Sequence, residues 1–583
     1  MDRQLRSQSR LGHPQPPAAF RPNLLVRIAQ HLGWGWVFFG MAASVAMVVS
    51  GPALVTATDG PATRWWFALP LPAPVAHTGD LAVFYAGMVG LSIAWLGLGR
   101  RLRRSQGATA GELWLVAALW VLPLLAAPAL FSRDVFSYMG QGALAHLGLS
   151  PYRYGPQVLS GYGYSNLVSA VAPVWRATPA PYGPLFLAIA GALMGPIGTH
   201  VATGVVVFRL VELVGVGLIA AFVPRLASRL GADPARALWL SVLSPLVLLE
   251  LVAAGHNDAL WVGLLVAGVA LALDRRPLLG IVLCALAASI KAPAAAGVVF
   301  VAVVWARERP TRPGQAGALA LAVGTAGAVL VAVSLGTGLG FGWLSGSALS
   351  TPGDVTVAIT PTTALAITFH GFAHHLLGGG LSEHTALSVV RLAGLGAAGL
   401  FGALLLWRVR ARSLVLYLSL ALLGVVLAGP VLWPWYLTWS FVLLAACPEG
   451  QRSRALVLVL AAFGFVVGPG GDAAVPLVAA PGVAVLCGVA AIAAVIGWWR
   501  YLHRRPPSDR GQSREPGLVV ARATIESRNG HQGAGSGSNS PRDSHGKLTV
   551  GSPSAHISGR GWQGRLDGRR GVGREALERP SGS

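Results

Sequence analysis

Apolar residues in this chain gather into long, nearly uncharged runs separated by short polar loops. Runs that read as membrane crossings occupy residues 34–57, 81–98, 113–130, 201–222, 238–253, 259–273, 278–290, 294–305, 316–337, 385–407, 413–431, 436–447, 455–468 and 476–499. The pattern predicts an all-α polytopic membrane protein with about fourteen transmembrane helices (range about 12–16). Several runs fall short of the ~20 residues a free helix needs to span a bilayer. Those are expected to be shielded by neighbouring helices around a water-filled cavity. Residues 185–197 also look helical. Counted as a full span they would carry Arg225, Arg229 and Arg236 to the wrong side, so they read as re-entrant or interfacial.

Arginine sets the orientation. Arg3, Arg6, Arg10, Arg21 and Arg27 precede the first run, and alternate loops carry clusters such as Arg100/Arg101/Arg103/Arg104, Arg307/Arg309/Arg312 and Arg408/Arg410/Arg412. Loops of the other parity hold almost none beyond Arg64 and three within 131–200. Both termini and the arginine-rich loops are therefore expected in the cytoplasm. Three segments follow: a basic cytoplasmic N-terminal segment 1–30, a membrane domain 31–503, and a basic tail 504–583. The tail is rich in Gly, Ser, Pro and Arg and is expected to be disordered.

Composition agrees with a lipid-embedded chain. Hydrophobic residues make up 54%, charged residues 11%, and mean hydropathy is +0.60. A soluble surface needs roughly 25% charge. The net charge of +22 lies in short loops and at the ends, which argues against nucleic acid as a partner. Cys284, Cys447 and Cys487 all fall in apolar runs and suggest neither a disulfide framework nor a metal knuckle. The polar stretch before the first run, and the length of that run, argue against a cleavable signal peptide.

With this topology the unusual polar residues collect on the extracytoplasmic side. They are Arg133, Asp134 and Tyr138 after the third run, Tyr152, Tyr182, the His256-Asn257-Asp258 turn, Lys291, and Trp433, Trp435 and Tyr436. Each also has a purely structural reading. Asp134 could cap a helix, and His256, Asn257 and Asp258 could cap the next one. Lys291 could snorkel to headgroups, and the aromatic trio could form an interfacial belt. His374 and His375 resemble a metal pair only loosely and fit a solvated turn better. Arg209 and Glu212, three apart on one helix, are expected to pair with each other. Glu250 and Arg391 could meet across the bundle. What favours function is convergence of costly ionisable groups on one rim of the membrane.

The stretch Arg133-Asp-Val-Phe-Ser-Tyr-Met-Gly-Gln-Gly142, then Ser150-Pro-Tyr-Arg-Tyr-Gly-Pro156, Pro181-Tyr-Gly-Pro184, His256-Asn-Asp258 and Gly429-Pro-Val-Leu-Trp-Pro-Trp-Tyr436, resembles the actinobacterial polyprenol-phosphomannose-dependent α-1,6-mannosyltransferases. These are membrane glycosyltransferases of the GT-C class. The resemblance covers roughly residues 30–500 and excludes the tail. It implies a polyprenyl phosphomannose donor, a mannosylated lipoglycan acceptor, and a plasma-membrane enzyme with an extracytoplasmic site. It also implies a catalytic aspartate, which by motif match is Asp134. A β-linked donor and an α product mean inversion in one displacement, with Asp134 accepting the acceptor's proton. Lys291, His256 and Arg133 are the candidates to face the departing phosphate, with Asp258 and Tyr138 beside them. Trp433, Trp435, Tyr436, Tyr152 and Tyr182 are the candidate contacts to sugar or polyprenyl chain. No ligand spacing demands a metal, although Asp134 and Asp258 could share a divalent cation such as Mg or Mn. The alternatives are a GT-C transferase of another lipid-linked sugar, such as arabinofuranose, and a lipid or sugar transporter or flippase. Transporters usually show two related halves with broken helices at the midplane, and no repeat is evident here.

Overall fold

The computed structural model describes residues 23–55, 78–105, 107–345, 360–376, 382–449 and 468. Every regular element among them is helical, and all lie within the compact unit Met1–Arg505. The apolar runs 455–468 (Gly468 apart) and 476–499, the tail 504–583, Arg64 and Cys487 lie outside the described residues. The main helices are α1 (Trp34–Val55), α2 (Thr78–Arg104), α3 (Ala110–Leu125), α4 (Asp134–His146), α5 (Pro184–Ile197), α6 (Val201–Arg229) and α7 (Pro234–Ser241). They continue with α8 (Asp258–Leu273), α9 (Pro277–Ala288), α10 (Ala295–Arg307), α11 (Arg312–Gly336), α12 (Pro361–Leu376), α13 (Glu383–Arg408), α14 (Leu414–Ala428) and α15 (Thr438–Ala445).

Among the described residues six helices are long and apolar enough to cross a membrane: α1, α2, α6, α11, α13, and α14 with the turn before it. The runs at 278–290, 294–305 and 436–447 form the short helices α9, α10 and α15, and 185–197 forms the 14-residue α5. A seventh crossing would be a broken one, in which the π-helical turn Val247–Ala253 meets α8 at 114°. Gly255, at φ +71°, lets the chain turn between them.

That break explains two buried charges. Arg209 on α6 donates to the carbonyls of Ala127, Pro128 and Ala253, and to Leu125 at 3.3 Å. Glu212 accepts the Leu260 N–H at 3.2 Å in the first turn of α8. The expected Arg209–Glu212 pair is therefore not formed. Orphan backbone groups at helix ends, with no water to satisfy them, draw each side chain away from the other. Glu250 and Arg391 do not pair either. Glu250 lies against His256, whereas Arg391 donates to Thr363 Oγ1 at 3.1 Å and the Pro430 carbonyl at 3.3 Å. His374 sits on α12 rather than in a turn and stacks on His370, one helical turn away.

Close backbone contact sets the pitch of α8. A Cβ on Gly263 would lie 2.4 Å from the Gly215 carbonyl oxygen on α6, and one on Gly215 would lie 2.2 Å from Ala259. Only glycines permit this approach, which carries the first turn of α8 into the protein interior beside α4 and α15.

Candidate active site

Asp134 is the first residue of α4, and it is Ser132 Oγ that accepts the Asp134 N–H, at 3.1 Å. The capping role open to the carboxylate thus falls to Ser132. The Asp134 side chain lies 3.9 Å from His256 Nε2, with Trp175 beside it. The preceding Phe131 is buried at φ +67°, in the left-handed region that bulky residues rarely adopt. Strain of this kind tends to accompany functional sites.

Asp258 opens α8 and is fully buried. Both its oxygens accept from Lys291 Nζ, at 3.0 and 2.9 Å. Oδ1 also accepts from the indoles of Trp261, at 3.1 Å, and Trp439. Lys291 does not snorkel outward: its ammonium turns in to Asp258 and sits 4.6 Å from the Tyr436 ring centre and 5.3 Å from that of Trp439. A buried cation is held best by a carboxylate and ring faces together.

His256 is fully buried, and its Nδ1 lies 2.7 Å from the Glu250 carbonyl. A carbonyl can only accept, so Nδ1 carries the proton and Nε2 presents a lone pair toward Asp134. The Glu250 carboxylate approaches the same Nδ1 at 3.8 Å. The imidazole stacks on Trp435 at 3.7 Å, and Trp433 stacks on Trp435 at 5.0 Å and 6°. Trp435 is therefore an internal platform rather than a membrane-interface ring. Asn257 makes no capping bond at α8; its amide is buried with neither polar atom hydrogen-bonded among the described residues.

Tyr138 and Tyr182 form the opposite wall. Their rings meet edge to face with centres 5.3 Å apart, and both pack on Phe186. The Tyr182 loop is pinned to the Lys291 turn by Gly183 N–H to Ile290 O, 2.9 Å, and Leu185 N–H to Ser289 O, 3.1 Å. A Cβ on Gly183 would fall 2.1 Å from the Ser289 oxygen, so this docking requires glycine.

Two candidates lie outside this cluster. Arg133 clasps the carbonyls of Ser169, Ala170 and Val171, which steadies the segment leading to Trp175. Tyr152 packs behind the site with Ala180, Leu187 and Trp343. Conversely, Trp175, Trp261 and Trp439 belong to it and were not singled out from sequence, and Glu250, expected to meet Arg391, belongs to it too. Trp261 carried a signal, since it lies one helical turn after Asp258. Trp175 carried none.

Burial raises the Asp134 carboxyl to about 6; Lys291 and Trp175 oppose the rise, and Asp258 adds to it. Burial lowers His256 to about 3, so the ring is neutral. Tyr138 and Tyr182 are pushed well above the usual phenol range, first by burial and then by each other or by neighbouring carboxylates, and remain hydrogen-bond donors. Asp134 is thus the carboxylate able to take a proton near neutrality, whereas Asp258 is engaged by a lysine and two indoles. Among the described residues no three His, Cys, Asp or Glu side chains form a metal-ligand group. With Asp258 so engaged, the pair Asp134 and Asp258 makes a poor cation site as it stands.

The family model described as the N-terminal domain of α-(1→6)-mannopyranosyltransferase matches residues 37–307, which hold Asp134, His256, Asp258 and Lys291. A second, the MptB C-terminal domain, matches residues 362–502, which hold the Trp433–Tyr436 platform. The chain is 35% identical over 396 residues to α-(1→6)-mannopyranosyltransferase A of Mycobacterium tuberculosis, covering 66% of this chain and 74% of that one. It is 36% identical over 440 residues to a probable α-(1→6)-mannopyranosyltransferase of Mycolicibacterium smegmatis, covering 68% and 76%. It is 29% identical over 437 residues to α-(1→6)-mannopyranosyltransferase B of Corynebacterium glutamicum, covering 70% and 68%. No solved structure matches. Site and similarity coincide in both halves, and the chain belongs to the actinobacterial α-(1→6)-mannopyranosyltransferase family.

Proposed function

We propose that this protein transfers mannose from polyprenyl phosphomannose to a mannosylated lipoglycan acceptor, forming an α-1,6 linkage with inversion. In this reading the chain is a GT-C transferase that crosses the plasma membrane about fourteen times. Residues 31–503 form its catalytic domain and 504–583 a cytoplasmic tail. The site faces outward, as the arginine distribution favours. The observation that carries the reading is the division of labour between two carboxylates: Asp258 is tied to Lys291, while Asp134 keeps a carboxyl poised near 6.

Asp134 takes the proton of the acceptor hydroxyl as its oxygen bonds to the mannose anomeric carbon. The bond from that carbon to the phosphate oxygen breaks, and polyprenyl phosphate leaves. Lys291, aimed by Asp258, faces the charge that grows on the phosphate, and the Tyr138 and Tyr182 phenols offer hydrogen bonds beside it. His256, neutral and a weaker base than Asp134, presents Nε2 as a hydrogen-bond acceptor to the protonated Asp134 carboxyl, so it positions Asp134 and does not face the phosphate. Trp433, half-buried and backed by Trp435, is the ring proposed to stack on a sugar. Arg133 and Tyr152 hold the surrounding loops in this reading.

Purified protein in lipid vesicles should extend an α-mannoside acceptor from polyprenyl phosphomannose, giving an α-1,6 product and free polyprenyl phosphate. Transfer from GDP-mannose with no lipid intermediate present would overturn the mechanism. Transfer only from a lipid-linked pentose would refute the sugar.

A further inference from the structure

The far end of α10 carries a second feature. α10 starts four residues after Lys291 and runs thirteen residues to Arg307, a rise of about 20 Å. There, a cavity of about 710 Å³ is lined by Arg307, Gln315, Trp407, Arg408 and Arg410. Arg307 donates to the carbonyls of Trp407 and Val409, which ties α10 to the end of α13. Arg410 lies close enough to repel it. Arg408 rests on the Trp407 ring at 5.7 Å. Among the described residues none of the three arginines has a carboxylate within ion-pair distance. Three guanidinium groups around one cavity, with no carboxylate among the described residues to pair them, match a phosphate in charge and in hydrogen-bonding geometry.

The walls narrow the choice of anion. The cavity opens between the first turns of α11 and the last turn of α13, and these are the least covered of the candidate spans, 22% and 11% buried over their apolar windows. Val323 on α11 and Leu400 on α13 are 69% and 65% exposed. An occupant therefore meets cations at one end and open apolar helix faces leading away from it, which is the pattern of a lipid with an anionic headgroup.

We propose that the Arg307–Arg408–Arg410 cavity is a binding site for the phosphate headgroup of an anionic membrane lipid, with its chains lying along α11 and α13. The site is separate from the transfer chemistry and does not depend on it. Full-length protein in mild detergent can be titrated with phosphatidylglycerol and with phosphatidylcholine, and bound lipid counted by native mass spectrometry. Phosphatidylglycerol should bind at least tenfold more tightly, and the Arg408→Gln/Arg410→Gln variant should lose that preference while keeping its melting temperature. A charge-matched control, Arg103→Gln/Arg104→Gln, should retain it. Three results would overturn the proposal: equal affinity for the two lipids, an unchanged preference in the 408/410 variant, or the same loss in the control. Inorganic phosphate supplies the other arm. If it protects the protein from thermal unfolding as well as the lipid does at equal concentration, the cavity takes a free anion and not a lipid.

Discussion

His256 Nε2 lies 3.9 Å from Asp134 Oδ2, with its other nitrogen committed to the Glu250 carbonyl. The lone pair is therefore held toward the carboxylate at a distance that closes by a small side-chain movement. For the transfer reaction this leaves Asp134 as the proton acceptor and His256 as the neutral ring that positions its carboxyl once protonated.

Asp134→Asn should abolish transfer by at least 10²-fold, because an amide cannot take a proton. The fold should survive. The folded protein holds the Asp134 proton more tightly than an unfolded chain does, about 6 against 3.8. The cost of the ionised group is thus absent at low pH and appears as pH rises from about 4 to 6. Above that window the Asn variant should match or exceed the parent in stability, by an amount on the order of 1 kcal/mol. Melting temperatures of both proteins across this range check the sign. A clear loss at pH 7 in the variant would make Asp134 a structural residue.

The pH profile of transfer should fall on the acid side near 6, as Asp134 becomes protonated. Lys291 and Trp175 both lower that carboxyl. Lys291→Met and Trp175→Phe should therefore move the acid limb of kcat/KM to higher pH, apart from any drop in the plateau. An acid limb that stays put in both would remove these residues from contact with Asp134.

Lys291 and Asp258 should behave as one unit. Removing one partner strands a buried charge, which typically costs ~3–5 kcal/mol. Lys291→Met should be the milder change, since the Trp261 and Trp439 indoles still serve the carboxylate. The double variant Lys291→Met/Asp258→Asn should be less destabilised than the sum of the singles, with a coupling of at least about 1 kcal/mol. Denaturation of the four proteins in the same detergent measures it. Strict additivity would show that the pair is not formed.

Orientation can be read from two exposed positions. Tyr162, 54% exposed, lies on the segment carrying Trp175, and Arg410 lies at the arginine cavity. In a background lacking Cys284, Cys447 and Cys487, Tyr162→Cys should react with an impermeant thiol reagent in intact cells. Arg410→Cys should react only after permeabilisation. Asp258 is unsuited to this test because it is fully buried. The reverse labelling pattern would invert the topology.

A helical, membrane-embedded chain was legible from the residues alone, because the free energy of placing charge in lipid leaves its mark on composition and run length. Asp134, His256, Asp258, Lys291 and Tyr436 were legible as candidates because they are polar residues at the ends of apolar runs, and packing brings them into one cluster. What the sequence could not decide was which carboxylate stays free. That depends on contacts between distant elements: Trp439 reaches Asp258 across 181 residues, and Trp175 comes beside Asp134 from the helix Pro173–Arg176, too short to show a periodicity. For the same reason Arg133 and Tyr152, candidates by sequence, lie outside the cluster, Arg133 on the Ser169–Val171 carbonyls and Tyr152 beside Ala180 and Leu187. Arg209 and Glu212 looked like a pair because they share a helix face, yet the chain breaks around them left backbone groups that each could satisfy alone. Local spacing records which residues can be neighbours; only packing, where every buried donor and acceptor must find a partner, selects which ones are.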